Sequence, residues 1–186
     1  MSRAHRRFLL LEEGVGSAFV NFAINAAIAW ALFRGMERVP LWGDQSIMGD
    51  TIATSVILPF ITSLIVTPLA RRRVRGGHLP PLGWTRASHP VLRWLPRSTA
   101  LRGLAVGLLG LLVLAPIAYG ALAAAGVGSL GTRAFILFKA GYAATEGLLV
   151  TPVLALWAIA ELPVTRGSGA STPSGADRDR AARAGT

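Results

Sequence analysis

The chain has no cysteine, a single lysine (Lys139) and only three histidines in 186 residues. Without thiols it cannot form disulfides, thiolate zinc sites, iron–sulfur clusters or a cysteine nucleophile. Charge is scarce as well: 15% of residues are charged and 52% are hydrophobic, where an ordinary soluble domain carries roughly 25% charged. The net charge is nevertheless +10 at a mean hydropathy of +0.51. Basic and apolar residues must therefore be segregated along the chain. The length fits one domain or a small bundle. No Walker loop, dinucleotide fingerprint or Gly-x-Ser-x-Gly elbow is present. His5, His78 and His89 all fall outside the apolar runs, so no bis-histidine haem site or histidine metal cage is expected at membrane depth. This composition argues against an enzyme, and no metal or cofactor is expected.

Long uncharged runs are what the chain does have. A bilayer core about 30 Å thick needs ~20 mostly apolar residues to span as a helix. Gly14 to Phe33 and Thr51 to Ala70 each run 20 positions without a charge, and Gly103 to Gly128 runs 26. Ala134 to Ala160 is equally apolar but contains Lys139 and Glu146. A soluble helix this long needs a water-compatible face, and these runs have none. The expected fold class is an all-α membrane protein with four transmembrane helices over 14–33, 51–70, 103–128 and 134–160. Arg3, Arg6 and Arg7 imitate the start of a signal peptide. Glu12 and Glu13 break the run that follows, and the apolar stretch beyond them is too long for a signal sequence, so the first helix is read as retained.

Arginine sets the orientation. Fifteen of the nineteen basic residues lie before the first helix, between the second and third, or after the fourth, and only Arg34, Arg38 and Arg133 lie in the other two loops. Positive loops stay cytoplasmic, which places both termini inside and predicts a multi-pass protein of a bacterial inner membrane. The expected organisation is a first hairpin within 1–70, a basic cytoplasmic linker over 71–102, a second hairpin over 103–162 and a disordered tail over 163–186. The linker holds Arg71, Arg72, Arg73, Arg75, Arg86, Arg93 and Arg97 interleaved with Trp84 and Trp94. Such a patch enforces topology at the bilayer surface and suits anionic lipid headgroups. The charge is accounted for by topology, and no nucleic-acid-binding motif accompanies it.

Ile65-Val66-Thr67-Pro68 and Leu149-Val150-Thr151-Pro152 place the same Thr-Pro pair 84 residues apart. Duplication of a two-helix hairpin is one reading; chance recurrence of a common dipeptide in apolar helices is the other. Glu13-Gly14, Asn21, Asn25, the prolines Pro59 and Pro68, and Arg71 to Arg73 give the first two helices a general layout that resembles the small four-helix inner-membrane proteins found across bacteria. That resemblance implies a fold and a location but no activity. Small multidrug transporters also have four helices. Their essential carboxylate is expected inside helix one, whereas Glu12 and Glu13 stand at its edge here, so that match is not adopted.

Polar groups at membrane depth must face protein or water. Asn21 and Asn25 share a face of helix one with Gly14, Ala18 and Ala29, a small-residue stripe suited to close helix contact. Lys139, Tyr142 and Glu146 share a face of helix four. By rise per residue, Asn21, Asn25, Thr62 and Glu146 fall in one central layer. Pro59, Pro68, Pro116 and Pro152 interrupt the helical ladders and free carbonyls for other partners. Lys139, about 10 Å along the axis from Glu146, is expected to snorkel outward. Glu146 is then expected to be neutral and hydrogen-bonded to the helix-one amides. Glu12 and Glu13 should pair with Arg71 to Arg73 at the membrane surface, and Asp50 should serve the start of helix two. Two functions follow as expectations. One is a small transporter or channel for a small polar solute or proton, built as a homo-oligomer because four helices rarely enclose a path. The other is a scaffold, subunit or regulator that works through helix and loop contacts.

Overall fold

Backbone N–H and C=O groups find no partners in hydrocarbon, so apolar runs of this length are driven into helices that satisfy them internally. The computed structural model describes residues 3–79, 96–160 and 162. It is an all-α protein with four helices long and apolar enough to cross a membrane. Helix α1 (Arg3–Arg7) continues through a π-helical stretch (Phe8–Val15) into α2 (Gly16–Phe33) as one rod. The second span is α3 (Ile47–Arg75), the third α4 (Thr99–Ala124) and the fourth α5 (Thr132–Ala160). The connections at one end contain short strands, β1 (Arg38–Pro40) and β2 (Ser129–Gly131). We call this the strand end and the opposite end the arginine end. The tail over 163–186 lies outside the described residues.

Local chemistry explains where the helices start and stop, and it moves several expected boundaries. Helix α3 begins four residues before Thr51 because Ser46, in an extended conformation, caps it by accepting the Gly49 N–H at 3.1 Å. At its other end α3 continues past Ala70 to Arg75. Gly77 (φ 75°) then turns left-handed and lets the His78 N–H reach the Arg73 carbonyl. Helix α4 starts and stops earlier than expected. Gly126 (φ 67°) ends it, with the Val127 N–H on the Leu122 carbonyl, so residues 125–128 form a turn instead of a last helical stretch.

The helices do not pair mainly within their own hairpins. Helices α3 and α5 pack together at the centre, while α2 lies along α5 and α4 lies along α3. Each hairpin thus sends its first helix to the second helix of the other. The strands make the same exchange: β1 and β2 pair antiparallel with Val39 opposite Leu130, tying the two hairpins at the strand end. The α3–α4 contact is close because Gly103 and Gly107 present bare backbone. A Cβ at Gly107 would stand 3.0 Å from the Val56 carbonyl oxygen and 3.1 Å from its Cα.

Two apolar clusters close the ends of the bundle. Phe33, Val39, Ile47, Leu122 and Phe135 pack at the strand end, and Phe8, Leu9, Ala70, Leu79, Ala155 and Ile159 at the arginine end. Between them, among buried alanines, Leu58 and Val150, stands a set of buried polar side chains: Thr51, Thr54, Ser55, Ser63, Lys139, Glu146 and Thr151. A polar middle between apolar ends is what a membrane interior permits, because lipid already supplies the apolar exterior.

Candidate functional site

The polar middle follows the α3–α5 interface. At its strand-end limit Lys139 pairs with Asp50, both side chains largely buried. This corrects the expectation that Lys139 snorkels. Capping by Ser46 starts α3 early, which puts Asp50 in the first turn and turns it toward α5. One turn deeper, the Tyr142 hydroxyl and Ser55 Oγ lie 2.6 Å apart, and Ser55 Oγ also donates to the Thr51 carbonyl at 2.8 Å. One turn deeper again is Glu146, fully buried, with neither carboxyl oxygen hydrogen-bonded.

Glu146 is not bonded to the helix-one amides. Its carboxyl lies against α4, where a Cβ added at Gly110 would come within 3.1 Å of Oε1. Pro59 has no N–H to give the Ser55 carbonyl, and that carbonyl borders the same place, 3.8 Å from the Gly110 Cβ position. The amides are engaged elsewhere. Asn21 stands over Gly147 of α5 and donates to Ser17 Oγ at 2.9 Å, Ser17 Oγ lies 2.6 Å from Thr151 Oγ1, and Asn25 donates to the Asn21 carbonyl at 3.0 Å. The expected central layer is therefore split. Asn21, Asn25 and Thr62 border a groove between α2 and α3, while Glu146 is on the α4 side of α5.

That groove, of about 730 Å³, runs nearly the length of the bundle. Glu12 and Glu13 border its arginine end, Asp50 and Lys139 its strand end, and Asn21, Asn25, Thr54 and Thr62 the space between. Most of the remaining wall is branched aliphatic, including Ile24, Ile28, Ile57 and Ile61. It exists because α2 packs on α5 and α4 on α3, which leaves α2 and α3 apart.

At the arginine end Glu12 pairs with Arg73, whose guanidinium also lies 5.0 Å from the Phe8 ring centroid. Arg102 is completely buried, 5.6 Å from the Trp157 ring centroid, and donates to the Arg97 carbonyl at 3.2 Å. Of the expected basic and aromatic patch, Arg72, Arg73, Arg75 and Arg97 are exposed and Arg71 is half-buried. Trp84, Arg86, Arg93 and Trp94 lie outside the described residues. The four prolines sit inside their helices as expected, Pro59 and Pro68 in α3, Pro116 in α4 and Pro152 in α5.

Ser17, Asp50, Ser55, Gly110 and Thr151 belong to the site but are not singled out as site residues by the sequence. The one available signal is the spacing of Gly103, Gly107 and Gly110, which marks a single close-packing face. Among the described residues, no three His, Asp or Glu side chains converge as metal ligands would. No protein-family model, curated protein or solved structure matches the chain.

Proposed function

We propose that this chain is a multi-pass protein of a bacterial inner membrane, with both termini inside, and that it carries a small solute through the α2–α3 groove. The groove is the observation that carries the reading. It reaches from one charged end of the bundle to the other and keeps amides and hydroxyls at mid-depth, where an unused polar group would be costly. Its aliphatic walls suit a solute with an apolar body and one hydrogen-bonding group. The groove is open on one side, and a second copy of the chain would close it. Arginines at the inner surface would hold anionic headgroups.

A second reading is favoured by the same aliphatic wall and by the internal hydrogen bonds of Asn21 and Asn25: the protein is a scaffold whose groove takes a hydrophobic segment or lipid. Single cysteines separate the two in a chain that has none of its own. Under the transport reading, Asn25→Cys and Thr62→Cys in proteoliposomes react with a membrane-impermeant thiol reagent added to the aqueous phase. If both are inert, and a fluorophore placed there by a lipid-soluble reagent is quenched by brominated lipid, the groove is lipid-filled and the transport reading fails.

A further inference from the structure

The molecule contains a buried acid that no hydrogen bond uses. Glu146 is fully enclosed, both its carboxyl oxygens lack partners, and the wall facing it is the bare backbone of Gly110. A permanently ionised carboxylate in such a place would be uncompensated, while a protonated one is only a neutral polar group. Glu146 is also the deepest member of a file of paired groups. Tyr142 follows it one turn away and meets Ser55, and Lys139 then meets Asp50 at the groove's strand-end mouth. Asp50 keeps its second carboxyl oxygen unpartnered. The file therefore ends on each side at a buried carboxyl oxygen without a hydrogen bond, and the residue at one end, Asp50, also borders the groove.

We propose that Glu146 is a proton-binding site coupled to the α2–α3 groove through Tyr142–Ser55 and Lys139–Asp50. On release the protonated Glu146 side chain rotates toward Tyr142, about 6 Å along the helix axis, and its O–H bond breaks as the Tyr142 hydroxyl oxygen takes the proton. Each hydroxyl of the pair accepts one proton as it passes another on, and the proton leaves to water beside the Asp50 carboxylate. From the packed helices, the Ser55 carbonyl of α3 and Gly110 of α4 border the Glu146 carboxyl and neither is titratable; the charged group of α3 on that side is Asp50, about two turns toward the strand end and paired with Lys139. Tyr142 and Lys139 share its own helix. Lys139 lies about 10 Å off along the axis, too far to hold the carboxylate directly, and its ammonium is paired with Asp50. The proton site stands on its own geometry, and its coupling to solute passage rests on the transport reading.

Infrared titration in lipid tests the site. The wild-type protein should show the carbonyl stretch of a protonated carboxyl, lost as pH rises and absent altogether in Glu146→Gln. Gly110→Ala keeps the carboxyl but presses a methyl against it, and should shift the band or its midpoint. It also serves if Glu146→Gln fails to fold. Reaction of Asn25→Cys with the impermeant thiol reagent then tests coupling. Its rate should change with pH around the midpoint of the band, and adding Glu146→Gln should remove that component, leaving only the cysteine's own titration. A band that is missing, or unaltered in both variants, overturns the site. A band lost in Glu146→Gln beside an unchanged Asn25→Cys pH profile overturns the coupling. An Asn25→Cys that is inert at every pH overturns the transport reading and with it the coupling, while the band still reports the site.

Discussion

At the scale of single residues, the charges that α3 and α5 bury together are sensitive points for stability. Lys139 and Asp50 are each other's ion-pair partners, with side-chain exposures of 6% and 13%. Lys139→Met leaves a largely buried carboxylate without its cation, a loss of about 3–5 kcal/mol for a buried pair. Lys139→Met with Asp50→Asn removes both charges and should recover most of that loss. Unfolding in detergent measures the difference, and two additive losses would show that the pair does not act as one unit. The α3–α4 contact gives a second residue-scale outcome. Gly107→Ala pushes a methyl against the backbone of Val56 and should cost about 1–3 kcal/mol. Gly141→Ala meets nothing within 4 Å and should be neutral or mildly stabilising, as a helical Gly→Ala usually is.

At the scale of helices, the bundle is held by exchange between the two hairpins. Ser17 and Thr151 sit with their hydroxyls 2.6 Å apart across the α2–α5 contact, so Ser17→Cys with Thr151→Cys should form a disulfide on mild oxidation. Asn25→Cys with Thr54→Cys faces across the groove and should not. Crosslinking of the second pair and not the first, read as a shift on denaturing gels, would mean α2 packs on α3 and the groove is absent. This pairing is the part of the fold that the sequence hides. Hydropathy and charge are local properties, so the four spans and the arginine-rich ends can be read residue by residue. Position along each run also gives an expected depth, which is how Asn21, Asn25, Thr62 and Glu146 are read as one central layer. The direction a side chain faces depends on which helix is its neighbour, and no local pattern states that. Lys139 shows the consequence. Nothing around residue 139 announces Asp50, and the partnership appears only once Ser46 starts α3 early and α3 is set against α5. Glu146 fails in the same way: its expected depth can be read, but its neighbour Gly110 belongs to a helix that sequence order does not bring to it.

At the scale of the whole molecule, the distribution of arginine is the property that decides how the bundle sits. The strand end is pinned by β1–β2 pairing and carries Arg34, Arg38 and Arg133, and Arg38 is engaged there with Ser129. The opposite end holds Arg71, Arg72, Arg73 and Arg75 in or next to the last turn of α3, where cations also complement the helix dipole. Translocating that cluster would oppose the bias that keeps basic loops on the cytoplasmic side, so the arginine end should face inward. Asp44→Cys, exposed in the turn before α3, and Arg75→Cys, exposed at the end of α3, report the two sides. On intact cells an impermeant maleimide should label Asp44→Cys, and it should label Arg75→Cys only after the membrane is opened. The reverse pattern would invert the orientation and put the Asp50–Lys139 mouth on the inner side. Any proton delivered to Glu146 through that mouth would then come from the cytoplasm. The sidedness of the labels therefore also fixes the direction from which the buried carboxyl is served.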